Sequence, residues 1–181
     1  MIYVALLRGI NVGGNNKVEM KRLKEVFEKA GHLNVSTYIN SGNVIFESSE
    51  KDAAQLSQKL EKVIEKEFGF NIKVLVKSLT DIKTIATELP DSWKNDLDMK
   101  CDVMFLWGDV DNEKVLEELI IKPGIDDVKY VKGALLWCVK RKEVTRSGLL
   151  RLLGTNLYKQ MTIRNCNTLR KLYTLMLAVN T

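Results

Sequence analysis

A chain of 181 residues is long enough for one ordinary domain or two small ones, and its 45% hydrophobic and 28% charged residues exclude a disordered or fibrous protein. The formal net charge of +5 is unevenly placed. Residues 1–80 carry 12 basic and 9 acidic side chains, residues 81–128 carry 5 and 13, and residues 129–181 carry 11 and 1. This pattern indicates either complementary surfaces within one molecule or a basic patch for an anionic partner.

The first residues read as a strand and not as a signal peptide, because the apolar run is short and neither a basic region nor a cleavage site flanks it. No stretch approaches the roughly 20 apolar residues that cross a bilayer, so we expect a cytoplasmic protein with no membrane partner. Three widely spaced cysteines and a single histidine fit a reducing compartment. No metal ion and no cofactor are predicted.

The first half of the chain predicts four strands and two helices. An apolar run over 2–8 is followed by a helix that Asn16 and Glu19 could cap and that ends near Gly31. The β-rich runs VSTYIN and NVIFE are separated by Ser41-Gly42, which is a hairpin signal. A second helix stops near Gly69 and leads into an alternating strand over 72–76. The order βαββαβ is that of a ferredoxin-like unit.

The second half repeats much of this order. VMFLWG resembles VALLRG, and KGALLW resembles SGNVIF, although two matches this short also arise by chance. We predict strands at 102–108, 126–132 and 134–140, helices at 112–121, 146–156 and 167–178, and a weakly signalled strand near 160–164.

The predicted fold class is therefore α+β: a ferredoxin-like βαββαβ unit followed by a second, related βαββα unit, with antiparallel sheets covered by helices on one face. The predicted domains are 1–78, a helix and linker over 79–101, and a second subdomain over 102–181 with the C-terminal helices.

The segment from Arg8 to Lys17 joins a strand to a helix and contains three glycines. Such a loop can expose backbone N–H groups to an anion beside a positive helix end. It is not a P-loop, since Asn15-Asn16 replaces the Lys-Ser/Thr pair, and its glycines do not match the dinucleotide fingerprint. Alternatively, the segment is a long turn whose Gly and Asn residues only supply left-handed backbone conformations.

Two more segments are candidates for the same site. In a ferredoxin-like unit the loop after the first strand and the hairpin between the second and third strands emerge at the same end of the sheet. The hairpin asparagines would then lie beside the first loop, or serve only the turn. Near the C-terminus, Asn167 or Thr168 can cap a helix that Arg164 and Asn165 precede, and Arg164 could bind an anion or pair with a carboxylate.

We expect these segments to form one anion-accepting site, with the loop from Gly9 to Asn16 as its backbone cradle. Its candidate ligand-binding residues are Arg8, Gly9, Asn11, Gly13, Gly14, Lys17, Asn40, Ser41, Asn43, Arg164 and Asn165.

Together, VALLRGINVGG, TYINSGNVIF and the T-x-R-N-x-N-T run at 162–168 resemble the bacterial family labelled domain of unknown function 1697. The resemblance spans essentially the whole chain. It implies a ferredoxin-like α+β fold and the importance of the same three motifs, but no substrate. Cys166 departs from the family pattern, in which an aromatic residue is expected.

Standard catalytic groups are scarce. His32 follows a predicted helix end, where bonding a carbonyl or lying in solvent is the simpler interpretation. Cys138 falls in an apolar strand, and the acidic pairs Asp109 with Asp111 and Asp126 with Asp127 border turns, which favours capping or solvation over metal binding.

Three functions follow from the sequence. The first is binding, with or without enzymatic turnover, of a phosphate- or carboxylate-bearing small molecule. The second is weak, sequence-indifferent nucleic acid binding, and the third is a structural or interaction role without chemistry. In the second of these functions, the residues that contact nucleic acid would be Lys140, Arg141, Lys142, Arg146 and Arg151. The sequence leaves the oligomeric state open.

Overall fold

The computed structural model describes residues 1–14 and 16–179 of the chain. The strands are β1 (Ile2–Leu7), β2 (Leu33–Tyr38), β3 (Asn43–Glu47), β4 (Val74–Ser78), β5 (Met99–Leu106), β6 (Asp126–Val131), β7 (Ala134–Lys140) and β8 (Met161–Asn165). The α-helices are α1 (Met20–Lys29), α2 (Ala53–Phe68), α3 (Leu79–Glu88), α4 (Leu149–Leu152), α5 (Asn156–Lys159) and α6 (Cys166–Ala178). None of the helices in the described part of the chain has the length and apolar character that a bilayer crossing requires.

The chain divides into two compact units. Unit 1 consists of residues 1–82 with the end of the chain from Leu172, and unit 2 consists of residues 83–171. Helix α6 therefore begins in unit 2 and ends in unit 1.

The sheet of unit 1 has the strand order β2-β3-β1-β4, and all of its neighbouring strands are antiparallel. This is the ferredoxin-like arrangement, so the fold predicted for the first half is confirmed. Strand β1 lies between β3 and β4, and each of its six residues is buried. Its uninterrupted apolar run, IYVALL, is explained by burial on both faces of the sheet.

Helices α1 and α2 pack on one face of this sheet. Alternate residues Tyr3, Ala5 and Leu7 of β1 lie in one hydrophobic core with Phe27 of α1 and Leu60 of α2. Full burial of each large apolar side chain contributes roughly 1.5–3 kcal/mol to stability, so this face accounts for much of the stability of the unit.

The ends of these helices differ in how they are capped. Helix α2 has Asp52 as its N-cap and ends at Gly69, which has a φ of 79° and matches the predicted stop. The predicted capping of α1 by Asn16 is wrong. The helix starts four residues later with no side-chain cap, and the Nδ2 of Asn16 instead donates to the Gly9 carbonyl at 3.1 Å.

The sheet of unit 2 has the order β6-β7-β5-β8 and is also antiparallel throughout. If β5 to β8 are numbered as the first to fourth strands of unit 2, their order in the sheet is second, third, first, fourth, which is the strand order of unit 1. The weakly signalled strand near 160–164 is present as β8, so the second unit completes the pattern.

The predicted helices of unit 2 are largely replaced by shorter pieces. The range 112–121, predicted as a helix, contains a 3₁₀ turn at Glu113–Glu118, and another 3₁₀ turn precedes it at Gly108–Val110. The predicted helix over 146–156 is divided between the end of a 3₁₀ turn at 141–146, α4 and the start of α5. Gly148 stands at the N-cap of α4, and a Cβ there would lie 1.5 Å from the Ile120 carbonyl oxygen, so only glycine allows this close approach of the two segments.

Asp126 organises this irregular region. Its Oδ1 accepts hydrogen bonds from the Trp137 Nε1–H and the Ser147 hydroxyl, and its Oδ2 accepts from the backbone N–H groups of Gly148 and Lys122. Burial by itself raises the pKa of Asp126, but these four hydrogen bonds outweigh burial and leave that pKa below its usual value. The carboxylate is thus a structural acceptor, as predicted for the acidic residues that border turns.

In each unit a polar side chain ties the loop after the first strand to the neighbouring hairpin. In unit 1 the Nδ2 of Asn11 donates to the carbonyls of Asn40 and Val18, at 2.9 and 3.0 Å, and its Oδ1 accepts from the Val18 N–H at 2.9 Å. In unit 2 the Oδ1 of Asp111 accepts from the Gly133 N–H at 2.7 Å and from the Tyr130 hydroxyl at 2.9 Å. The repeated topology is therefore accompanied by a repeated tie.

The cysteines depart from the sequence interpretation. Cys101 of β5 and Cys138 of β7 are directly paired across the sheet, with Cα atoms 4.0 Å apart, and their sulfurs form a disulfide. Cys166 is free and buried. The two bonded cysteines are 37 residues apart in sequence, and only the register of β5 against β7 brings them together.

The Asp126 network leads us to expect that Asp126→Asn destabilises the protein by about 1–3 kcal/mol, because an amide cannot accept hydrogen bonds on both of its edges. The lowered pKa sets the sign of the pH effect. The contribution of the carboxylate is present at neutral pH and is lost as the pH falls through the folded-state pKa. Urea unfolding at pH 7 and at pH 3 should show a smaller difference in stability between wild type and variant at pH 3. Asp127→Asn, at the exposed neighbouring residue, is the control. A constant difference at both pH values would contradict this role.

The Asn11 tie predicts that Asn11→Ala lowers the free energy of unfolding by about 2–3 kcal/mol, since three hydrogen bonds and an Asn that tolerates a positive φ are lost together. Asn34→Ala is a matched control, because Asn34 is exposed, has a φ of 49° close to the 54° of Asn11, and makes no side-chain hydrogen bond within the described residues. Chemical denaturation should show that this control lowers the free energy of unfolding by about 1 kcal/mol or less. Equal losses in the two variants would show that backbone conformation alone matters.

Candidate functional site

Two loops of unit 1 lie together at one end of its sheet. Leu6, at the end of β1, pairs with Asn43, at the start of β3, so the loop that leaves β1 and the turn that enters β3 are neighbours. The Leu7 N–H also donates to the Gly42 carbonyl at 2.8 Å, and the Asn11 side chain reaches Asn40. These contacts hold the loop of residues 8–17 against the turn of residues 39–42.

The backbone of the first loop is unusual. Of the described residues in the expected cradle, Gly9, Asn11, Gly13, Gly14 and Asn16 all have φ between 48° and 82°. The predicted supply of left-handed conformations by Gly and Asn is thus observed. Residues 11–14 are exposed, so much of this backbone faces solvent. Asn15, the remaining residue of the cradle, lies outside the described residues.

A cavity of about 420 Å³, here called the loop cavity, opens between the first loop, the turn and the start of α1. It brings together four of the predicted site residues. It is lined by Asn11, Gly14, Lys17, Val18, Glu19, Met20 and Asn40.

The start of α1, with Glu19 as its N-cap residue, forms one wall of the loop cavity. The helix has no side-chain cap and no acidic residue in its first turn, whose second and third residues are Lys21 and Arg22. The first N–H groups of a helix carry partial positive charge, which favours a nearby anion. Among the lining residues, Lys17 is the cation and Glu19 the carboxylate.

The predicted polar residues of the two loops divide into structural and accessible ones. The Asn11 amide is committed to the tie, and the buried Asn43 donates to the Tyr38 carbonyl and the Ser41 hydroxyl at 2.9 and 3.0 Å. For Asn43 the interpretation as a turn residue therefore accounts for these contacts. Lys17 and Asn40 are exposed at the cavity.

Four other predicted residues lie in the same two loops. Arg8 is half-buried, and its backbone N–H donates to the Lys73 carbonyl at 2.9 Å. Gly9 and Gly13 are exposed in the first loop, and Ser41 accepts from Asn43 in the turn. None of these four lines the loop cavity.

Arg164 and Asn165 belong to strand β8 of unit 2. The Arg164 guanidinium is buried and donates to the Thr162 hydroxyl and the Ile163 carbonyl at 3.1 and 2.8 Å. Burial lowers the pKa of Arg164 to about 10. The Oδ1 of Asn165 accepts from the Thr168 N–H at 2.9 Å, so Asn165 caps α6, and the predicted cap at Asn167 or Thr168 is wrong.

The rest of the C-terminal motif holds the linker before β5. The Asn167 Nδ2 donates to the Asn95 carbonyl at 2.9 Å, and the Arg170 guanidinium donates to the carbonyls of Trp93 and Pro90 at 2.7 and 2.8 Å. This role escaped sequence reasoning. Its only sequence signal is the i, i+3 spacing of two long polar side chains on one helix.

His32 is packed, which differs from the expectation that it bonds a carbonyl or lies in solvent. Its ring lies 4.7 Å from the ring of Phe46 and 6.1 Å from that of Phe27, measured between centroids. Burial, followed by the charge of Lys59, lowers the pKa of His32. No group of three or more His, Cys, Asp or Glu side chains that could hold a metal ion occurs in the described ranges 1–14 and 16–179.

Comparisons with known proteins place the chain in a family. A solved structure of a conserved bacterial protein, SP0830 from Streptococcus pneumoniae, is 32% identical, has a TM-score of 0.82, and is matched over 97% of this chain and 98% of that chain. No curated protein matches. The family model described as protein of unknown function (DUF1697) matches residues 1–137. The chain, with its first-strand loop, hairpin turn and ferredoxin-like sheet, therefore belongs to the DUF1697 family.

Proposed function

We propose that this protein binds a small anionic molecule, carrying a phosphate or carboxylate group, in the loop cavity of unit 1. The observation that carries the proposal is the convergence of two polar loops and an uncapped helix start on one cavity. An enzymatic step is not part of the proposal. The proposal includes the cytoplasmic location that the sequence predicts.

Three kinds of donor support this function. The exposed, glycine-rich backbone of residues 11–14 can present N–H groups, the start of α1 adds its partial positive charge, and Lys17 adds a full charge. A hydrogen bond to a charged group is worth about 1.5–3 kcal/mol, and a helix terminus adds about 0.3–1 kcal/mol. Two or three such contacts also have to offset the entropy lost on association and the repulsion from Glu19, so we expect binding in the millimolar range.

The Asn11 tie serves this function by positioning. It holds the first loop against Asn40 through the protein's own hydrogen bonds, so we expect the entropy of ordering the loop to be lost during folding and not during binding. This arrangement favours a preformed site over one that closes around its ligand.

We expect inorganic phosphate to raise the melting temperature of the wild-type protein. At a hundredfold excess over its dissociation constant, the stabilisation should be about 2.7 kcal/mol. Lys17→Ala should weaken phosphate binding about tenfold or more, as calorimetric titration would measure, whereas Lys17→Arg should retain most of the affinity. Circular dichroism should show an unchanged fold, because Lys17 is exposed.

Lys51→Ala is the matched control, since Lys51 is also an exposed lysine, in the loop that precedes α2. It removes the same charge from the protein without touching the loop cavity. If the two alanine variants bind phosphate equally, general electrostatic attraction explains the binding and the proposed site is wrong.

A further inference from the structure

A second cavity, of about 460 Å³, lies within unit 2. Its walls come from the linker before β5, from residues of β5 and β8, and from the segment of α4 and its neighbours. It differs from the loop cavity in having one strongly apolar side and one charged side. We call it the amphipathic cavity.

The apolar side leaves hydrophobic surface in water. Leu149 is buried in the core of unit 2, but Leu150 and Leu153 are 44% and 54% exposed and line the amphipathic cavity together with Ile163. The Asp126 network fixes this segment, because the Gly148 N–H that precedes Leu149 donates to its carboxylate. The two leucines are therefore held in place beside the cavity without being covered.

The charged side is positive. Lys100 and Asp102, two residues apart on one face of β5, form an ion pair of 2.6 Å and balance one another. Arg141 donates from Nε to the Asp96 carbonyl and from Nη2 to the Asn95 side-chain oxygen at 3.4 Å, and its charge also acts on the Asp96 carboxylate. The buried Arg164 is a further cation of the lining. With three cationic side chains and one carboxylate, the lining is positive and shares the cavity with the leucines.

We propose that the amphipathic cavity binds a small amphipathic anion, with its carboxylate or phosphate on Arg141 and a short apolar chain over Leu150 and Leu153. A purely polar anion does not cover the exposed leucines, and a neutral hydrocarbon offers no charged group to Arg141. Only a molecule with both parts complements both sides. This site is independent of the function proposed for unit 1.

The experiment is a calorimetric titration of the full-length Lys17→Ala protein, in which binding at the loop cavity is weakened about tenfold. The ligands are methyl, butyl and hexyl phosphate and, in parallel, acetate, butanoate and hexanoate. Each buried methylene should tighten binding about fourfold in whichever head-group series binds. 1-Hexanol, which has the chain without the charge, should bind at least tenfold more weakly than the hexyl anion. The phosphate and carboxylate series together identify the preferred head group.

Two variants locate the site. Leu153→Asn should flatten the chain-length dependence, and Arg141→Gln should weaken every member of the binding series by a similar factor of about tenfold. The matched controls are Leu177→Asn, at a leucine 45% exposed elsewhere, and Lys142→Gln, the basic neighbour of Arg141 that does not line the amphipathic cavity.

An affinity that does not depend on chain length in either series, or hexanol that binds as tightly as the anions, would overturn the proposal. So would a chain-length dependence that survives in Leu153→Asn. Because these measurements are made in Lys17→Ala, their failure leaves the function proposed for the loop cavity untouched, and failure of the phosphate experiment leaves this one untouched.

Discussion

The side chain of Asn11 is the contact on which the geometry of unit 1's candidate site depends. One amide bonds the Val18 backbone in both directions and reaches across to the hairpin at Asn40. It thereby closes a loop that has five described residues with positive φ. Ile10 of the same loop is buried in the core and lies against Gly42 of the turn, so an apolar contact supports the tie. Together these contacts hold the loop against the turn before β3.

The same arrangement of strands supports two different surfaces. Unit 1 covers one face of its sheet with two regular helices, whereas unit 2 uses 3₁₀ turns and two single-turn helices. Short helices expose more side chains at their ends than long amphipathic helices do. In unit 2 this leaves Leu150 and Leu153 exposed, while Asp126 supplies the hydrogen bonds that the irregular backbone lacks. The difference between the two cavities follows from this difference in covering.

Membership in the DUF1697 family and the match to SP0830 agree with the fold but name no ligand or reaction. The polar residues of the two loops and of the C-terminal segment divide into two groups by their contacts. Asn11, Asn43, Asn165, Asn167 and Arg170 bond the backbone of their own unit and shape it. Lys17, Asn40 and the exposed loop backbone remain accessible. A sequence motif can thus be recognisable because it builds a site and not because each of its residues touches a ligand.

The amino-acid sequence by itself determined the strand and helix pattern of the first half, the ferredoxin-like topology and the hairpin at Ser41-Gly42. Periodicity and turn residues are local signals, and β3 and β7 lie where the sequence predicted them. The sequence also pointed to Gly and Asn as the residues of an unusual loop. It did not reveal that Gly148 lies against the Ile120 backbone, that Cys101 faces Cys138, or that Asn165 caps α6. These features depend on register and on close approach between segments far apart in the chain. Only the tertiary structure decided which asparagine side chains make hydrogen bonds within the protein and which side chains face a cavity. The reason is that hydrogen-bond partners are determined by distance in space and not by distance in sequence.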